Sequence, residues 1–236
     1  MFLPVSCPVC GALGKAPCAT CAAALRRAPA MPVPVGVDTC AALLAYEGVG
    51  RELVARLKYR NARSSMPFLA RGVAALTDNL GPVDVVTWAP TTAARRRDRG
   101  FDQAELLARA VARRLDRGEV ACRRLLLRPP GPAQTGQPIQ SRRDGPSFLP
   151  VGRVPPRVLL VDDVVTSGAT VAAAARALRA AGAVEVHVVA AARTPRIPAR
   201  MSARVPAPPS GLHSPRVAVC GSVVESRCQS QAKRPT

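Results

Sequence analysis

Aromatic residues make up only 3% of this 236-residue chain. A core must therefore be built from Ala, Val and Leu, and the 48% apolar content is enough for one. With one Trp, two Tyr and four Phe, the chain is also poor in the stacking platforms that a single-stranded nucleic-acid groove uses. No charge-free apolar run reaches the length of about 18 residues that a membrane-spanning helix needs. The opening MFLPVSCPVC has neither a basic leader nor an adequate apolar stretch, so a secretory signal is not expected and a cytoplasmic location is. Acids are scarce, at 15 Asp+Glu against 34 Lys+Arg, which leaves a formal charge of +19. Lysine is scarcer still, at positions 15, 58 and 233 only, so the basic charge is nearly all arginine. A GC-rich genome explains Arg over Lys but not the shortage of acids. An excess of this size favours polyanionic partners: nucleic acid, phosphorylated metabolites or an anionic membrane face.

Four of the eight cysteines fall at Cys7, Cys10, Cys18 and Cys21, in the pattern C-x2-C-x7-C-x2-C. Two such knuckles close a tetrahedral Zn²⁺ site, and with four thiolates no position stays open for water, so the role is structural. A segment this short cannot build a core, and the metal would replace one. Iron–sulfur ligation and redox disulfides are the other readings. Cys40 and Cys122 read as small buried apolar residues, and His187 as a core or edge residue of a strand.

The chain divides into a cysteine module at 1–30, a Pro-rich linker (PAMPVPVG, 29–36), an α/β domain at 37–194 and a basic, disordered tail at 195–236. Within 37–194, strands are expected at 40–46, 83–88, 157–161 and 184–192. Helices are expected at 49–59, 66–80, 102–115 and 171–181. Residues 128–156, rich in Gly, Pro, Gln and Arg, read as a long loop. Strand–helix alternation implies βαβ units and a mainly parallel sheet with flanking helices.

The strongest signal is VLLVDDVVTSGAT at 158–170. An apolar strand leads to two adjacent carboxylates, Asp162 and Asp163. A loop of small residues follows, Thr166, Ser167, Gly168, Ala169 and Thr170, and opens a helix. Backbone N–H groups at such a helix start bind phosphate, glycine lets the backbone approach the ligand, and the hydroxyls add donors. The carboxylates can accept hydrogen bonds from vicinal sugar hydroxyls, directly or through Mg²⁺. A sugar phosphate matches both halves. The plainer reading is a strand and helix joined by a capping turn. Arg95, Arg96, Arg97 and Arg99 supply a second anion-binding candidate, since guanidinium forks match phosphate oxygens. Gly100 after them permits a mobile lid. A solvated basic loop or a nucleic-acid contact are the alternatives there.

The 158–170 segment resembles the phosphoribosyl pyrophosphate (PRPP) motif of type I phosphoribosyltransferases. YEGVGRELVARLKY (46–59), APTTAARRRDRGFDQAELLA (89–108) and QTGQPIQSRRDGPSF (134–148) resemble, in order, segments of the ComF family of phosphoribosyltransferase homologues linked to competence. An N-terminal four-cysteine module is also typical of that family. The departures are Asp102 where Asn is usual, Gln137 where Leu is usual, and Ser167 where Thr is common. The resemblance implies a type I phosphoribosyltransferase fold. It implies that Mg²⁺-PRPP sets its 5′-phosphate on Thr166–Thr170 and its ribose toward Asp162 and Asp163. Its pyrophosphate would then lie between Ala89–Thr92, with Thr91 and Thr92 as donors, and the Arg95–Arg99 loop. Asp162, Asp163 and Arg99 would be catalytic, and Lys58 a further pyrophosphate contact or an ordinary surface lysine. The acceptor is unread. A homodimer, and single-stranded DNA with the competence machinery, are the other partners it implies. The competing function is a single-stranded-DNA-binding accessory whose PRPP site does no chemistry.

Overall fold

A computed structural model describes residues 5–58, 60–115, 119–129 and 146–195, with the backbone alone at 58 and 60–62. The expected basic tail, most of the 134–148 segment and the Lys58 side chain lie outside the described residues.

Five parallel strands form the central sheet: β1 (Thr39–Ala45), β2 (Val85–Trp88), β3 (Ala121–Cys122), β6 (Arg157–Val165) and β7 (Glu185–Arg193). Their spatial order is β1-β7-β6-β2-β3. A separate antiparallel ribbon pairs β4 (Leu126–Leu127) with β5 (Leu149–Pro150). The helices are α1 (Ala19–Ala23), α2 (Gly48–Ala55), α3 (Met66–Ala75), α4 (Ala93–Arg99), α5 (Gln103–Ala112) and α6 (Ala169–Ala180).

The period of two along β6 explains why both faces of the sheet are covered. Leu159 and Val161 point into a cluster with Leu53, Leu69, Val73, Leu107 and Val111 from α2, α3 and α5. Val158 and Leu160 point the other way, into a cluster with Val171, Ala174 and Leu178 of α6 and Leu125, Leu126 and Phe148 of the ribbon. A strand buried on both sides reads as a continuous apolar run, which is why 157–161 was legible.

Three elements differ from the sequence reading. β6 does not stop before the carboxylates: it pairs with β7 through Asp162↔Ala190, Val164↔Ala192 and Val165↔Arg193, so Asp162 and Asp163 are strand residues. The Arg95–Arg99 segment is not a loop or lid but helix α4. Thr92 caps its start by accepting the Arg95 N–H at 3.3 Å, and Gly100, at φ 74°, closes it with an N–H to the Arg96 carbonyl at 2.8 Å. The helix at 49–59 stops being α-helical at Ala55 and continues as a 3-10 turn, Arg56–Lys58. Cys40 and Cys122 are half-buried rather than buried.

The Pro-rich linker is held down along its length. Arg193, 2% exposed, donates from Nη1 to the carbonyls of Pro29, at 3.1 Å, and Ala30. Arg179 Nε donates to the Gly36 carbonyl at 2.7 Å. Between these ties, Pro34 lies against Gly168.

Candidate functional site

Successive connections diverge in the middle of the sheet. β6 leads through α6 to β7 on one side, and β2 leads through α5 to β3 on the other. The two helices cover opposite faces. Such a divergence opens a crevice beyond the carboxyl ends of β6 and β2, the place where open α/β sheets bind ligands. A cleft of about 290 Å³ lies there. It brings together Asp162, Asp163, Thr166 and Thr170 from the β6–α6 side and Thr91, Arg95 and Arg99 from the β2–α4 side. Of the residues expected from sequence, Thr92 faces its own helix. Ser167, Gly168 and Ala169 line a neighbouring cleft beneath the Pro32–Val35 part of the linker.

The Thr166–Thr170 turn is shaped for an anion. Gly168 sits at φ 83° as the N-cap of the twelve-residue α6 and supplies no side-chain cap. The backbone N–H groups of Thr166, Ser167 and Gly168 make no hydrogen bond among the described residues. The Ser167 hydroxyl is already engaged, accepting the Ala169 N–H at 3.4 Å. Unpaired successive N–H groups at a helix start are a partial positive charge looking for a partner.

The paired carboxylates differ. Asp162 is 8% exposed, and its Oδ1 accepts the Asp163 N–H at 2.9 Å. Burial, and then the adjacent Asp163 charge, push its pKa well above the ordinary carboxylate range. Asp163 is half-exposed and faces the cleft. Two carboxylates side by side, one of them buried, suit a hard divalent cation such as Mg²⁺.

Asp102 carries more of the site than its place as a sequence departure suggested. It is 4% exposed; Oδ1 caps α5 by accepting the N–H groups of Ala104, at 3.0 Å, and Glu105, at 3.4 Å. Oδ2 accepts the Thr91 N–H at 2.8 Å, tying the β2–α4 turn to α5. The Thr91 N–H is therefore committed within the protein, whereas the Thr92 hydroxyl accepts the Arg95 N–H and keeps its own O–H as a donor.

Arg99 Nη1 donates to Gln103 Oε1 at 3.1 Å, which fixes the guanidinium at the cleft. Sequence reasoning missed Arg128, Tyr46 and Gln103, which also line it. Nothing in the run LLLRPP marks Arg128 among the other arginines; only the fold brings it opposite Asp162.

The four module cysteines converge: their Sγ atoms all lie within 4.8 Å of one another, and Cys10 Sγ is 3.6 Å from Cys18 Sγ. Tetrahedral zinc thiolates stand about 3.8 Å apart, as Zn–S bonds of about 2.3 Å require, so the set fits. Burial raises the Cys21 thiol to about 12. At Cys7 burial also pushes upward, but N–H bonds from Cys18, Cys10 and Val9 bring it down to about 6.

Residues 103–205 match the family model described as the phosphoribosyl transferase domain. The parallel sheet with flanking helices is a phosphoribosyltransferase-type fold. No curated protein matches the chain. Among solved structures, phosphoribosylpyrophosphate synthetase from Mycobacterium smegmatis is similar at 20% identity and a TM-score of 0.32, over 55% of this chain and 33% of that one. The chain thus spans about a third of the length of that synthetase. No helix among the described residues is long and apolar enough to cross a membrane.

Proposed function

We propose that this chain binds PRPP and transfers its phosphoribosyl group to an acceptor. The observation that carries the reading is the conjunction at the end of β6: three backbone N–H groups at the start of α6 with no partner among the described residues, separated by two residues from Asp163 and its neighbour Asp162. A 5′-phosphate on the Thr166–Thr170 turn leaves the ribose hydroxyls within reach of Asp163, with Asp162 behind it. Mg²⁺, held by these carboxylates when bound, would neutralise charge on the pyrophosphate.

The chain's own residues then position and stabilise. The bond between ribose C1 and the pyrophosphate oxygen breaks, and its electron pair leaves with pyrophosphate. A bond forms from C1 to the acceptor atom, which loses its proton. Positive charge on C1 and the ring oxygen develops beside Asp163, and negative charge on the leaving oxygen develops beside Arg95 and Arg99. The acceptor's proton passes to the departing pyrophosphate or to solvent.

The ComF-like N-terminal module is read as a structural zinc site at Cys7, Cys10, Cys18 and Cys21. Binding of labelled PRPP to the full chain tests the function. Mg²⁺-dependent binding is expected, with loss in Asp162→Ala/Asp163→Ala. No binding, or unchanged binding in that variant, overturns it.

A second reading has one specific observation in its favour. α4 buries none of its residues, and Arg95, Arg96 and Arg97 stand exposed on it, as a contact with an extended polyanion such as single-stranded DNA would require. Salt-dependent oligonucleotide binding that survives Asp162→Ala/Asp163→Ala supports this role; its absence removes it.

A further inference from the structure

Asp102 is a buried acid on the wall of a cleft read as holding an anion. The arginines nearest to it in the chain bond elsewhere: Arg99 Nη1 donates to Gln103, and Arg96 pairs with Glu105 at 3.5 Å. Asp102 makes no ion pair among the described residues. Its carboxylate is satisfied instead by three backbone N–H groups, two at the start of α5 and that of Thr91. Pairing with the arginines of the cleft therefore does not account for an acid at this position.

The three bonds have separate uses. Capping α5 needs one acceptor atom, and Oδ1 supplies it alone. Oδ2 does nothing for that helix; it accepts from the β2–α4 turn, at 2.8 Å. A carboxylate accepts at both of its oxygens, whereas an amide or a hydroxyl in its place accepts at one atom. The Thr91 bond is thus what an acid adds here over a neutral cap. Thr91 and Asp102 both line the cleft. Oδ2 occupies the Thr91 N–H as an oxygen of a bound phosphate would, and a charged acceptor holds a donor about twice as strongly as a neutral one. Burial raises the pKa of Asp102 against the pull of these N–H bonds, and its charge contributes to the shift at Asp162. An anion entering the cleft meets that same charge.

Resting on the PRPP reading above, we propose that Asp102 is an internal competitor of the leaving pyrophosphate: its carboxylate keeps the Thr91 N–H and opposes the anion, so the cleft holds pyrophosphate less tightly than its donors allow. Asp102 is a positioning residue in this scheme, acting through Thr91 and not by contact with the substrate. Its effect falls on the pyrophosphate end, because the 5′-phosphate sits on the α6 side of the cleft. The gain is in turnover, since a leaving group held less tightly departs more readily and product release limits many enzymes.

Calorimetric titration of the full chain in Mg²⁺ at about pH 8, where the carboxylate is ionised, tests this with inorganic pyrophosphate, PRPP and ribose 5-phosphate. Asp102→Asn keeps an acceptor for the α5 cap and gives up the Thr91 N–H. It should bind pyrophosphate and PRPP about tenfold more tightly than the parent, the worth of one hydrogen bond to a charged group, and leave ribose 5-phosphate unchanged. Asp102→Ser, which caps α5 through its hydroxyl and is too short to reach Thr91, should show the same gain, and it carries the test alone if Asp102→Asn fails to melt cooperatively. Asp98→Asn removes an exposed charge from α4 without freeing an N–H, and should stay within about twofold of the parent for all three probes, as screening of exposed charges requires. A merely structural Asp102 would give a loss, or no change, with every probe. Parent-like or weaker pyrophosphate binding in a folded Asp102 variant overturns the proposal, and so does an equal gain for ribose 5-phosphate or for Asp98→Asn. Failure of the parent and both Asp102 variants to bind PRPP refutes the underlying function instead, so the two failures are distinguishable.

Discussion

Gly168 is the point where the linker, the α6 turn and the candidate phosphate donors meet, and its replacement by alanine tests that convergence. Its φ of 83° is left-handed, and an added Cβ would stand 3.0 Å from Pro34 Cγ. Alanine in a left-handed conformation costs about 1–2 kcal/mol, offset by about 0.4–1 kcal/mol for the stiffer unfolded chain, so the conformational part is about 1 kcal/mol. The proline ring must move by several tenths of an ångström, and it sits on a linker tied down at Pro29, Ala30 and Gly36. Overpacking against such a neighbour costs about 1–3 kcal/mol. The sum is about 2–4 kcal/mol, a fall in Tm of roughly 4–16 °C for a domain of this size. Gly48 supplies the control: its φ is 47°, but nothing lies within 4 Å of an added Cβ, so Gly48→Ala should show only the conformational part. Pro34→Ala removes the clashing carbon, and in a double-mutant cycle it should restore the contact part to Gly168→Ala. Melting curves give the stabilities, and titration with ribose 5-phosphate reports whether the displaced turn still presents its N–H groups. Equal losses in Gly168→Ala and Gly48→Ala, with no rescue by Pro34→Ala, would refute the buttressing of this turn by the linker.

Gly50→Ala places a Cβ 2.4 Å from the Ala45 carbonyl oxygen, a backbone atom that cannot swing aside, so α2 must shift off the end of β1. Denaturant titration should show a loss at the upper end of the overpacking range, about 3 kcal/mol, and an unchanged midpoint would contradict the seating of α2. Asp162→Asn concerns pH: the folded-state pKa of Asp162 lies above the unfolded value, so its favourable contribution is complete below the ordinary carboxylate range and is lost as pH rises through the folded value. Asn mimics the protonated form and keeps an acceptor for the Asp163 N–H, so the variant should melt higher than the parent at about pH 8 and match it at about pH 3, while losing Mg²⁺-dependent PRPP binding. Equal melting at both values rejects the buried-charge description. The cysteine module should release about one Zn²⁺ per chain to a thiol-directed mercurial, followed with a metallochromic dye, and Cys21→Ser should lower that yield; a metal-free parent that melts identically with and without added zinc argues against the site.

The strands and helices that bury a face were legible because burial writes a period into the sequence. Leu53, Leu69, Val73, Leu107 and Val111 supply the stripes of α2, α3 and α5, and 157–161 is a run buried on both sides. α4 was not legible because it buries nothing: AARRRDR has helix formers but no stripe, and only Thr92 and Gly100 mark its ends. β3, β4 and β5, two residues each, are too short to carry any period. At the site, Asp162, Asp163 and the Thr166–Thr170 turn were readable as a local motif, since strand, carboxylates and helix start are contiguous. Arg128 was not, because its relation to Arg95 and Asp162 exists only once the ribbon packs on α6. Asp102 stood out only as a departure from a resemblance, and its three backbone partners became visible only in the fold.

The net charge of +19 also takes a different form in three dimensions. The cleft is not uniformly basic. Arg95, Arg99 and Arg128 line it together with Asp102, Asp162 and Asp163. Burial is the leading cause that raises both Asp162 and Asp102, and the Asp102 charge adds to the shift at Asp162. A free pyrophosphate would meet three guanidiniums but also these carboxylates; a free cation would meet the carboxylates but also the guanidiniums. Each ion alone is opposed by half of the site. On the proposed reading, an anion and a cation arriving together satisfy both halves, so Mg²⁺ and the phosphosugar should each raise the other's affinity by the same factor, as linkage requires. A cleft lined by arginine alone would bind pyrophosphate without the metal, and the acids are what make the pairing obligatory.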